Sequence, residues 1–202
     1  MPPLTRSAAR AASAGTDVTG MQGLRGSVSV KANVVWDHWG IDRYTGWERD
    51  QTLDPQVDHV LEVQVAEYAY VLAYGTVGAN AASMAATQAH AELVDVLNGV
   101  TNLNVTTKAI NQAKKGPFTR ALNRLNSDSL RDLTLEQFAR TGRTTKPLVD
   151  DGTWARIEGA IVTTWDATNH QLREADLLPQ AAELAEHTLD ELAGVLTRLG
   201  VW

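Results

Sequence analysis

The sequence predicts an α+β fold that is mostly helical, with one small two-stranded element set among helices. Three observations carry this expectation. Apolar residues recur at helical spacing towards the C-terminus, first as Ile157, Ile161, Trp165 and Leu172, then as Leu184, Leu189, Leu192, Leu196 and Leu199. Two short β-prone runs stand earlier, Gln56-Val57-Asp58-His59-Val60 and Asn102-Leu103-Asn104-Val105-Thr106. Asn98-Gly99 ends a helical stretch just before the second run, so the chain can turn back and pair the two.

Along the chain, residues 1–25 are rich in Ala, Ser, Gly and Thr and have almost no large apolar groups. Such a segment buries too little area to order itself, and it lacks the continuous apolar core of a secretory signal, so a flexible leader is expected. Residues 27–36 alternate at first and fit either a strand or the start of a short helix. Turns are expected at Tyr44-Thr45-Gly46 and at Asp54-Pro55. Helices are expected over residues 66–74 and 81–97, separated by Gly75 and Gly78. Thr106 or Thr107 can cap a helix over about residues 107–115, on which Lys108, Asn111 and Lys115 share a face. Gly116-Pro117 should stop that helix, and Pro117 suits the first turn of another running to Leu125. Beyond Ser127 the chain reads as helical over residues 133–140, 153–175 and 178–199, the last two with apolar stripes that form a core or meet a partner.

The chain has 202 residues, enough for one domain with a helical extension and a sizeable core. No apolar run approaches the ~20 residues of a membrane helix, and no membrane partner is expected. Cysteine is absent, which removes disulfides and thiol chemistry and leaves the compartment open. Cytoplasm is the expected location unless the protein is delivered as an exported toxin. Net charge is −6, against a surface that tracks nucleic acid throughout. The charge is uneven: residues 102–131 hold six basic side chains and one acid, so that segment carries +5 and the remainder −11. A basic patch of this kind suits a phosphodiester, and it equally describes a solvated helix face. No Gly-x-Ser-x-Gly elbow, phosphate-binding glycine loop or dinucleotide fingerprint is present.

Asp58-His59 is the feature with most chemical content. An acid and a histidine side by side on a strand face opposite ways by simple alternation, but at a frayed strand end both can reach one pocket. Read with Asn102-Leu103 and with Asn111-Gln112-Ala113-Lys114-Lys115-Gly116, the pair resembles the HNH endonucleases of the ββα-metal, or His-Me finger, superfamily. In that family a strand ends in Asp-His or His-His, a second opens with Asn-Leu, and a helix bearing His or Asn follows. The stretch from Val34 to Gly46 also looks like the lead-in of many such proteins. The resemblance covers about residues 31–117. Two departures are the missing zinc-binding cysteines and a long, largely helical insertion at 61–98 between the strands.

The resemblance implies a ββα-metal finger inside a helical domain, divided as a leader (1–25), an HNH-like core (26–126) and a C-terminal helical extension (127–202). It implies a metal-dependent endonuclease acting on nucleic acid, DNA ahead of RNA, serving in defence, in a phage or as a toxin with an immunity protein as partner. His59 would be the general base on an attacking water, with Asn102 orienting its ring. Asp58 and Asn111 would supply oxygen ligands to Mg²⁺, Mn²⁺ or another divalent cation. Glu62 would be a further ligand, a group behind the ligands, or a surface acid. Lys108, Lys114, Lys115 and Arg120 would contact phosphates. His38 and Asp37, between Trp36 and Trp39, fit an apolar layer better than a site, and His90, His170 and His187 stand on helices without the company chemistry needs. The competing expectation is a non-enzymatic, mostly helical interaction or scaffold protein, with oligomerisation through the C-terminal helices.

Overall fold

The computed structural model describes residues 40–48, 55–74, 83–125 and 149–201. The expected leader, the 27–36 segment, Asp37, His38 and the 133–140 helix lie outside the described residues. In order, the elements are β1 (Pro55–His59), α1 (Val63–Ala73), α2 (Ser83–Asn98), β2 (Leu103–Thr107), α3 (Lys108–Leu125), α4 (Asp151–Glu174) and α5 (Pro179–Arg198). The fold is mostly helical with a two-stranded antiparallel sheet, as the α+β expectation has it.

β1 and β2 pair from Pro55 opposite Thr107 to His59 opposite Leu103. The pairing continues beyond the strand, where the Val60 amide donates to the Asn102 carbonyl at 2.7 Å. The connection between the strands is the helical insertion α1–α2, and α2 ends at Asn98 as the Asn-Gly pair foretells.

Thr107, the last residue of β2, caps α3: its hydroxyl accepts from the Ile110 amide at 3.3 Å. Contrary to expectation, α3 does not stop at Gly116-Pro117 but runs through Pro117 to Leu125. Proline removes one helical N–H and crowds the residue before it. Its ring also crowds the carbonyl one turn back; the residue before it is glycine, with no Cβ to crowd, so one part of the clash is relieved. α4 starts on Asp150, whose carboxylate accepts from the Thr153 amide at 2.8 Å, and α5 starts with Pro179 in its first turn.

α1 lies between two apolar clusters. Val65, Tyr68 and Ala69 face a cluster with Tyr44, Ile110, Phe118, Trp154, Ile157, Ile161, Leu192, Leu196 and Leu199. Val63, Ala66, Tyr70 and Ala73 face a second with Ala86, Leu93, Leu97, Leu172, Leu184 and Leu189. α4 and α5 contribute to both clusters, so the C-terminal helices share a core with α1, with α3 and with Val60 and Leu61 just past β1. The stripe on α5 is enclosed within the chain, since Leu184, Leu189, Leu192, Leu196 and Leu199 are all buried. The apolar face named in the sequence as core or partner surface is therefore core.

Candidate functional site

Helix α3 buries Ile110, Ala113, Lys114, Pro117, Phe118 and Ala121, a helical stripe with a lysine at one of its core positions. Lys114 is 0% exposed. Its ammonium lies 2.9 Å from Asp58 Oδ2 on β1 and 2.9 Å from Glu62 Oε1, just before α1. It also donates to the His59 carbonyl oxygen. The rings of Tyr44 and Phe118 cover it, their centroids 5.8 and 5.7 Å from Nζ. Burial alone would pull the Lys114 pKa down, but the two carboxylates outweigh it and the net direction is up. Lys114 is therefore a buried cation held by two acids, and it is not among the surface phosphate contacts expected of it.

Asp58 also accepts from the Tyr44 hydroxyl at 2.5 Å. Burial raises the Tyr44 pKa well above the ordinary tyrosine value, and the Asp58 charge and hydrogen bond add to the rise. The phenol thus stays protonated and donates. Tyr44 belongs to a turn over residues 40–48, closed by Gly46 at φ +73° and by Ile41 bridging Glu48. Asp42 fastens this turn to the sheet: its carboxylate accepts from the Tyr44 amide at 2.9 Å, Asn104 Nδ2 at 2.9 Å and the Thr106 hydroxyl at 2.9 Å. Arg156 on α4 donates to the Tyr44 carbonyl at 2.7 Å. Sequence reading missed Asp42 and Tyr44 as site neighbours, although their turn was foreseen.

His59 points elsewhere. Its Nε2 lies 3.0 Å from Asn98 Oδ1, and Asn98 Nδ2 donates to the Val94 carbonyl at 2.6 Å. With its amide group so oriented, Asn98 presents an acceptor, and His59 Nε2 is the donor. Asp58 is thus tied to α3 and the 40–48 turn, whereas His59 is tied to α2. The strand end is not frayed, because His59 pairs with Leu103 and Val60 continues the ladder. Alternation holds, and the two side chains do not converge on one cleft.

Asn102, expected to shape the turn and orient the His59 ring through backbone hydrogen bonds, is fully buried and bonds to backbone groups of Leu61 and Leu97. Its Oδ1 accepts from the Leu61 amide at 2.6 Å, and its Nδ2 donates to the Leu61 and Leu97 carbonyls at 3.2 and 2.8 Å. Asn111 turns its amide to Gln56, with Nδ2 to Oε1 at 3.0 Å, two residues back along β1 from Asp58. Glu62 is 7% exposed and paired to Lys114, so it is not a surface acid. Lys108, Lys115 and Arg120 are exposed, whereas Lys114 is not.

A divalent ion on Asp58 and Asn111 needs their oxygens to share a shell of six or so ligands. The residues do not fit it in this arrangement: Asp58 holds the Lys114 ammonium and the Tyr44 hydroxyl, and Asn111 is turned to Gln56. No family model matches the chain, and neither the curated proteins nor the solved structures yield a match.

Proposed function

We propose that this chain is a non-enzymatic, mostly helical interaction protein in which the strands and α3 form a brace rather than a reaction centre. The observation that carries this is Lys114, fully buried between Asp58 and Glu62 at 2.9 Å from each. The acid that a metal-dependent nuclease would keep for its ion already has a cation. The histidine that would remove a proton from water instead donates to Asn98. Contact with a partner has a candidate surface in the 40–48 turn, where Trp47 and Ile41 are 76% and 60% exposed. Tryptophan supplies much of the binding energy in many interfaces, and this turn is held to the sheet by Asp42.

A second reading, the HNH-type endonuclease with a ββα-metal finger, is favoured by one observation. The second strand pairs with the first in the foreseen register and passes directly into a helix that lies on the sheet, with Asn111 and Lys114 facing β1. In that reading the exposed Lys108, Lys115 and Arg120 meet the backbone of DNA ahead of RNA. Activity would require the His59 ring to leave Asn98 and Lys114 to leave Asp58.

Incubation of the full chain with supercoiled plasmid and with RNA, in Mg²⁺, in Mn²⁺ and in chelator, decides between the two. Intact nucleic acid in every condition supports the interaction protein. Chelator-sensitive cleavage that disappears in His59→Ala would overturn it and establish the nuclease.

A further inference from the structure

We propose that the Lys114 ammonium is this finger's own cation, seated between Asp58, Glu62 and the His59 carbonyl in place of the divalent ion that the HNH resemblance assigns to Asp58. The proposal deepens the reading of the strands and α3 as a brace. Three elements meet at Nζ: the end of β1 through Asp58 and His59, the approach to α1 through Glu62 a few residues on, and, more than fifty residues further along, α3 through Lys114 itself. A bound ion joins elements in the same way, by drawing their oxygens to one positive centre.

The surroundings are those of a built position. Lys114 stands where the α3 stripe calls for an apolar residue, between Ala113 and Pro117, and its stem adds to the packing. Aromatic rings of Tyr44 and Phe118 stand close to the ammonium, and the Tyr44 hydroxyl donates to the same Asp58 oxygen that Lys114 does. Two carboxylates around one ammonium leave a formal charge of −1, so removal of Lys114 would strand two acids that a divalent cation could balance. A buried ion pair stripped of one partner is strongly destabilising, because the remaining charge is left without compensation.

The test is thermal unfolding of the full chain in Mg²⁺, in Mn²⁺ and in chelator, beside Lys114→Met, which keeps the stem and removes the charge. The unsubstituted protein should unfold at one temperature in all three, to within about 1 °C, because an ion that bound the folded state would raise the midpoint. Lys114→Met should unfold on the order of 10 °C lower and recover part of that loss in Mn²⁺. Chelator-reversible stabilisation of the unsubstituted protein would overturn the proposal, as would a Lys114→Met protein indifferent to Mn²⁺. If Lys114→Met does not fold, the response of the unsubstituted protein decides alone. Plasmid cleavage on the same samples keeps the two ideas apart: cleavage in chelator would sink the non-enzymatic reading and leave Lys114 as the cation. A metal response without cleavage would sink the role of Lys114 alone.

Discussion

Asp58 and His59 are chain neighbours whose side chains are tied to different helices. Asp58 Oδ2 receives Lys114 Nζ from α3 at 2.9 Å, while His59 Nε2 meets Asn98 Oδ1 of α2 at 3.0 Å. The two-residue alternation of a strand thus fastens the helical insertion to one face of β1 and the following helix to the other. In space the pair joins two helices to one strand.

His59→Ala is accordingly expected to act on stability. Removing the ring leaves Asn98 Oδ1 without its buried imidazole donor, at a cost of about 1–3 kcal/mol. Denaturant unfolding followed by circular dichroism reads this directly. A His59→Ala protein as stable as the parent would show that the Asn98 contact contributes nothing.

Asn102→Ala should cost more than most surface changes, about 3 kcal/mol, because one amide serves the Leu61 amide, the Leu61 carbonyl and the Leu97 carbonyl. Asn102→Asp should be no better, since a carboxylate cannot donate to the two carbonyls. Urea midpoints of the two variants check this, and an Asn102→Asp protein matching the parent would rule out the donor role of Nδ2.

Much of the fold could be read from the sequence because local signals and packing agree there. The pairing of residues 56–60 with residues 102–106 followed from β-prone runs and the Asn98-Gly99 stop, and the structure adds only Pro55 opposite Thr107. The helical stripes of α4 and α5 were legible for the same reason. The end of α3 differs from the sequence reading at Gly116-Pro117, where the helix continues and the glycine relieves one of proline's clashes, that with the Cβ before it. The site was less legible because its polar residues acquire meaning only through long-range contacts. Lys114 reads as a surface base by type and as a core residue by position, at the centre of the stripe from Ile110 to Ala121. Position was the better guide. Asp42 gave no comparable signal: its partners Asn104 and Thr106 lie some sixty residues away, on alternate positions of β2.

The 40–48 turn separates structural from surface roles. Asp42→Ala should loosen the turn and cost about 2 kcal/mol, since three donors lose their acceptor. Trp47→Ser, 76% exposed at the start, should stay within about 0.5 kcal/mol of the parent. Hydrogen exchange at the Tyr44 and Gly46 amides, compared between the variants, tests the first; a Trp47→Ser protein as destabilised as Asp42→Ala would contradict the second.

Alkaline pH should dissolve the buried cluster from two sides. The Lys114 pKa is raised in the folded chain: desolvation opposes the charge, and Asp58 and Glu62 outweigh it. A raised lysine contributes stability that is fully present below its unfolded value and is lost as pH rises through the folded value. Tyr44 has the same sign, because burial and the Asp58 charge favour its protonated form in the folded chain. Both contributions should therefore be intact at neutral pH and begin to fall only above about pH 10, where unfolded tyrosine and lysine lose their protons. Stability measured by urea unfolding from pH 7 to 11.5 should stay level with respect to this cluster and then drop steeply, and the drop should be shallower in Tyr44→Phe combined with Lys114→Met. An equally steep alkaline fall in that double variant would place the titration elsewhere in the chain.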